Sequence, residues 1–183
     1  TKNYNGPYAY QHNKKKKTID IIYAKTGIKI NIWRNHMYMH GANTEKVLSS
    51  LDINICSDGV VKENCDLQED VNGIYNLPIN IIPDHEHIIH AERTPQWIKQ
   101  WQARYNWSDD FGPESYYIEE WAELVLNQLK ENEAKKKLSV MIIHPITMYL
   151  ADGFKSVRTI LDYIQTKESV FMGDLLTKER ISA

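Results

Sequence analysis

The chain is poor in cysteine, phenylalanine and long apolar runs. Of its 183 residues only two are Cys and three are Phe. Cys56 and Cys65 form no CxxC pair and belong to no Cys/His cluster, so no metal motif is written in them. They could pair in an oxidising compartment or remain free thiols. No run approaches ~18 apolar residues, so no membrane span is expected, and no signal-peptide pattern is present. Neither sign of charge dominates. A formal net charge of -2 gives no reason to expect a nucleic-acid partner. The lysines Lys14–Lys17 and Lys135–Lys137 read as solvated helix ends. The chain opens on Thr1-Lys2-Asn3-Tyr4 without an initiator Met, as a processed product or a piece of a longer chain would.

What is present is an ordinary globular composition, 42% hydrophobic and 25% charged, carrying eleven Tyr and five Trp. Such amphipathic aromatics often line polar, sugar-like sites or interfaces. The length predicts one domain over residues 1–183, with a core of useful size. Helices are expected over Asn13–Ala24 (stopped by Gly27), Asn43–Leu51, Gln96–Tyr105, Glu114–Glu131 and Asp152–Ile164. Strands are expected over Ile28–Trp33, Ile53–Cys56, Gly73–Pro83, Leu138–Ile143 and Ser169–Met172. Residues 61–72 are polar and suggest no regular element. Helices alternating with apolar strands predict a mainly parallel α/β sheet. Residues 91–113 stand apart as a Trp-rich insert holding Trp97, Trp101, Tyr105 and Trp107. These rings could stack on a sugar, or pack in a core, as their spacing of three to four residues also allows.

Leu138–Ile143 ends in His144-Pro145. Proline cannot donate to a ladder, so the strand should stop there and leave His144 at its carboxyl end, the edge where open α/β sheets bind ligands. A single His can equally be satisfied by a backbone carbonyl. Other predicted strands end in the same manner, at Arg34 with His36, at Asp58, and at Asp84 with His85 and His87. In a parallel sheet such ends share one rim. Four ends carrying binding or reactive groups predict a common pocket, although polar residues finishing strands would look alike. Asp84, His85, His87 and His90 could form a substrate-facing loop, a substitute metal site or plain surface.

The run Thr26-Gly27-Ile28-Lys29, then Trp33-Arg34, Asn43-Thr44, Val47-Leu48 and Ser57-Asp58-Gly59-Val60, resembles the middle of polysaccharide deacetylases of the NodB-homology type (carbohydrate esterase family four). Ile142-Ile143-His144-Pro145 resembles that family's last motif. Pro83-Asp84-His85-Glu86-His87 and the continuation to Phe154 resemble one branch of it. The likeness spans about Thr18 to Thr177. It implies an incomplete or distorted (β/α) barrel of mainly parallel strands, corresponding to the carboxyl-terminal two-thirds of such a domain. It also implies a hydrolase that removes acetyl groups from an amino-sugar polysaccharide or glycan, using a divalent metal, zinc by preference. The catalytic roles would fall to His144 as general acid, Arg34 as the holder of the catalytic base, and Asp58 as the carboxylate that orients the acid. His36, Asp84, His85, His87 and Trp97 would bind the carbohydrate.

Two departures matter. The family's Thr-Phe-Asp-Asp motif has no counterpart. Its His-x-x-x-His motif is also missing, since Tyr8 stands four residues before His12. No metal ligands are therefore identifiable in the sequence. A domain lacking its first strands would leave a sheet edge through which copies could associate. The alternative reading is a non-catalytic carbohydrate-binding relative without the metal site.

Overall fold

The computed structural model describes residues 6–38 and 40–176. They gather into two compact units: the described residues of 6–59, 66–78 and 169–176 belong to the first, residues 60–65 and 79–168 to the second. No linker marks this division because the chain passes from one unit to the other four times (at 59/60, 65/66, 78/79 and 168/169).

The first unit holds helix α1 (Tyr8–Thr26), strand β1 (Ile32–Trp33), helix α2 (Thr44–Ser49) and strands β2 (Ile55–Cys56), β3 (Gln68–Glu69) and β4 (Tyr75–Asn76). The strands form one sheet in the order β1-β2-β4-β3. β1, β2 and β4 run parallel in the register Ile32–Ile55–Tyr75, and β3 is antiparallel to β4. The sheet is mixed, and its ladders are shorter than the apolar runs that predicted them. β3 falls in a stretch without any strand signal: Gln68 and Glu69 are exposed, so hydrophobic alternation could not announce them.

α1 begins after Pro7, earlier than its sequence suggests, and ends where Gly27 takes a left-handed φ of 72° and donates its N–H to the Tyr23 carbonyl. That conformation costs glycine little. The residues it buries are Gln11 and Lys15, whereas Ile21 and Tyr23 are exposed. A small core of Leu48, Ile53, Cys56 and Ile74 lies in this unit, with Ile19, Ile30, Trp33 and Leu51 against it.

The second unit is mostly helical: α3 (Asp84–His87), α4 (Pro95–Tyr105), α5 (Ile118–Ala134), α6 (Pro145–Asp152) and α7 (Lys155–Ile164). α4 starts as Thr94-Pro95 predicts, with the Thr94 hydroxyl accepting from the Trp97 N–H at 3.2 Å, which satisfies one orphan donor of the first turn. α5 buries Ile118, Trp121, Ala122, Val125 and Leu129, a stripe at helical spacing. Tyr117 lies just before it and is exposed. This stripe joins Ile81, Ile82, Ile88, Met148, Val157 and Ile160 in the larger core.

Residues 138–143 form no strand. Asn80 supplies the bonds a neighbouring strand would: its amide nitrogen donates to the Leu138 carbonyl at 2.9 Å, and its carbonyl accepts from the Val140 N–H at 2.8 Å. Its backbone N–H also reaches the Val140 carbonyl at 3.1 Å. Side-chain bonds from Asn80 thus take the places of part of the regular ladder, and only the Val140 carbonyl is met by backbone N–H groups, those of Asn80 and Ile81. Ser169–Met172 likewise forms no strand.

The stop expected at His144-Pro145 is instead the start of a helix. Pro145 opens α6, where a missing N–H costs nothing, and Gly153 closes it in a left-handed turn at φ 66°. Asp152 then accepts from the N–H groups of Lys155 at 3.0 Å and Ser156 at 2.8 Å, starting α7. Among the described residues, no helix is long and apolar enough to cross a membrane.

Candidate functional site

His144 sits at the amino end of α6 and pairs with Asp84 at the amino end of α3. The His144 Nδ1 lies 2.7 Å from Asp84 Oδ1, and the His144 backbone N–H donates to Asp84 Oδ2 at 2.6 Å. A carboxylate oxygen accepts, so Nδ1 donates in this contact, and Nε2 is the ring nitrogen that Asp84 leaves uncommitted. Asp84 is fully buried, whereas the His144 side chain is 39% exposed. The carboxylate is therefore inaccessible to a substrate and the imidazole is not. Neither a backbone carbonyl nor Asp58 holds this ring. Asp84, expected to bind substrate, is buried, and each of its oxygens accepts one bond from His144.

Two further imidazoles stand beside the pair. The His85 ring centre is 5.2 Å from that of His144 and 6.3 Å from that of His90. His85 is exposed. Both ring nitrogens of His90 are buried without a hydrogen-bond partner, as is Nε of Arg93. Burial, then the nearby His85 and Arg93, lower the pKa of His90. An unpaired buried polar group costs about 1–3 kcal/mol, so a ligand atom bonding His90 would recover part of that cost. The sequence places His90 with Asp84, His85 and His87 in a segment that reads as a substrate-facing loop, a substitute metal site or plain surface. Its signal was the third imidazole in the run Asp84-His85-Glu86-His87-Ile88-Ile89-His90.

His87 departs from the substrate-facing role. It is fully buried, with Nδ1 donating to the Glu114 carbonyl at 2.7 Å and Nε2 on the Asp109 carboxylate at 3.0 Å. It pins the segment that follows α4. Within the Trp-rich insert, Trp97 lies nearly parallel to Trp101, their centroids 6.0 Å apart, and the Arg93 guanidinium lies 5.5 Å from each. Trp97 is 42% exposed, which leaves part of a flat apolar surface available.

The first unit has its own polar rim, because three parallel strands end on one side. Arg34, just past β1, donates from Nε to the Ser57 carbonyl at 2.9 Å and from Nη2 to the Ser57 hydroxyl at 2.6 Å. That hydroxyl donates to the Leu77 carbonyl at 2.6 Å. The guanidinium thus ties the three strand ends together, and no carboxylate takes these bonds. Asp58 is buried; it accepts from the Asn35 N–H at 2.7 Å and from the Asn35 side-chain amide, and meets His40 Nδ1 at 3.3 Å. Burial pushes its carboxyl up, but the bonds from His40 and Asn35 outweigh this and hold it below the usual range. The bond to Asp58 raises the pKa of His40, whose Nε2 lies 3.1 Å from Glu45. His36 is exposed on the turn after β1.

Arg34, His36 and Asp58 lie in the first unit, and Asp84, His85, His87, Trp97 and His144 in the second. Among the described residues one group can converge on a metal: a ring nitrogen of His40, the Cys56 sulfur and a carboxylate oxygen of Asp58 lie within 4.8 Å of one another. This set does not reproduce the Asp-His-His ligands implied by the deacetylase resemblance. It contains a thiol, and it lies in the first unit, whereas His144 lies in the second. Burial pushes the Cys56 thiol up, aided by the Asp58 charge. Cys56 and Cys65 are buried thiols that form no disulfide with each other.

No protein-family model matches the chain, and neither a curated protein nor a solved structure matches it.

Proposed function

We propose that the protein is a hydrolase that removes acetyl groups from an amino-sugar polysaccharide or glycan, with His144 as its proton donor. The observation that carries this reading is the Asp84–His144 pair: a sealed carboxylate that fixes the tautomer of a partly exposed imidazole. A leaving amine needs a proton as its bond to the acetyl carbon breaks, and Nε2 of an imidazolium held at Nδ1 can deliver it. Water supplies the hydroxyl that completes the acetate. His85 and His90 lie beside the transfer, and the unpaired nitrogens of His90 suit a polar atom of the sugar. The resemblance of Ile142-Ile143-His144 to the last deacetylase motif points to the same residue. The class it names is metal-dependent. The His40–Cys56–Asp58 trio departs from that class's ligand set, so the reading rests on the acid–base half of the reaction.

The test is release of free amine from N-acetylglucosamine oligomers by the full chain, with zinc or cobalt supplied. Release that falls ~10²–10⁴-fold in His144→Ala supports the reading. No release, or release unaffected by the substitution, sinks it. A second reading, carbohydrate binding without catalysis, is favoured by the exposed Trp97 face stacked on Trp101. Oligomer binding that Trp97→Ala abolishes, without amine release, would establish it.

A further inference from the structure

We propose that His40, Cys56 and Asp58 form a binding site for a soft divalent metal ion, zinc by its ligand chemistry, in the first unit. Cys56 ends β2 and Asp58 lies two residues on; side chains two apart leave an extended segment on the same side. His40 comes to them from the segment between β1 and α2. The ligand atoms lie within 4.8 Å of one another. Zinc bonds of about 2.0–2.3 Å would draw them together with small side-chain movements. The donor set selects the metal: one sulfur and one imidazole favour zinc over magnesium or calcium, which take oxygen ligands.

The surroundings have the form of a supported metal site. His40 offers Nδ1 towards Asp58, while its other nitrogen is backed by Glu45 Oε1 at 3.1 Å. A carboxylate on the far nitrogen is the usual means of orienting a ligating imidazole. The Asp58 carboxylate is held in turn by the Asn35 N–H at 2.7 Å, and the Asn35 side-chain carbonyl accepts from Lys15 Nζ at 2.7 Å and Trp33 Nε1 at 2.9 Å. On binding, the metal replaces the Cys56 S–H proton and the hydrogen bond between His40 and Asp58, and the released protons go to water. Three protein ligands leave a fourth position for a water molecule.

This site stands apart from the deacetylase reading and is tested without an activity assay. Cobalt(II) is titrated into the full chain, and the thiolate-to-cobalt charge-transfer band in the near ultraviolet is followed, with zinc added as competitor. The expected result is one cobalt per chain, a thiolate band, and its displacement by zinc. Cys56→Ser should remove the band and Cys65→Ser should keep it. If Cys56→Ser fails to fold, Glu45→Gln, at a partly exposed position, serves instead and should weaken cobalt binding about 10–100-fold. Absence of binding, binding without the thiolate band, or a band lost in Cys65→Ser but retained in Cys56→Ser would overturn the proposal. So would undiminished affinity in Glu45→Gln.

Discussion

Replacing Asp84 separates what it does for stability from what it does for His144. The carboxylate is fully buried and accepts two hydrogen bonds, both from His144. A hydrogen bond to a charged group contributes about 1.5–3 kcal/mol. The two share one acceptor and will not add fully, and removing the carboxylate also relieves its desolvation. Asp84→Ala should therefore cost about 3 kcal/mol. Asp84→Asn keeps the shape. Its carbonyl can still accept from the His144 backbone N–H, and its amide can donate to Nδ1 if the ring moves its proton to Nε2. The stability cost should then be about 1 kcal/mol. The ring is left in the wrong tautomer with no negative charge behind it, so amine release should fall ~10²–10⁴-fold. Urea unfolding of the three proteins gives the first quantity, and turnover of N-acetylated oligomers gives the second. Full turnover in Asp84→Asn would refute the reasoning, as would equal stability of all three proteins.

Two further outcomes follow from other parts of the molecule. His90 has its pKa lowered, by burial first and then by His85 and Arg93. As pH falls, the unfolded chain therefore binds the proton before the folded one. Its contribution to stability is complete above about pH 6.5 and is lost as pH drops below that value. His90→Gln should flatten the acid-side decline of the urea midpoint; unchanged slopes would show that this ring is not desolvated. Asn80 is buried and its side chain bonds Asn64, Leu138 and Val140. Asn80→Ala would leave those backbone groups short of partners and should cost about 3 kcal/mol, while raising hydrogen exchange at Val140. A loss below about 1 kcal/mol would mean that water replaces the amide.

The elements most legible in the sequence were those stabilised by their own residues. α5 announces its long apolar stripe, Thr94-Pro95 announces α4, and Gly27 announces the end of α1. The apolar run Leu138–Ile143 misled because apolarity reports burial, not ladder pairing, and here the pairing groups go to Asn80. Pro145 was ambiguous in kind: proline ends a strand and equally begins a helix. The two units could not be read from composition because each is assembled from separated segments. In the candidate sites, His144 was visible from its place after an apolar run. Its partner was not, since a carboxylate sixty positions earlier carries no local mark of that role. His40 was missed for the same reason. Neither Cys56 nor Asp58 signals that an imidazole from another segment will meet them.

Four crossings between two units govern the order in which the polypeptide can mature during synthesis. Residues 169–176 belong to the same unit as β1, and Gly173 lies against Asn31 and Ile32. The segment before residue 59 must therefore await residues 169–176 before its packing is whole. Cutting the gene at residue 59 or 168 would yield fragments, not modules, and their recovery should depend on co-expressing the missing piece.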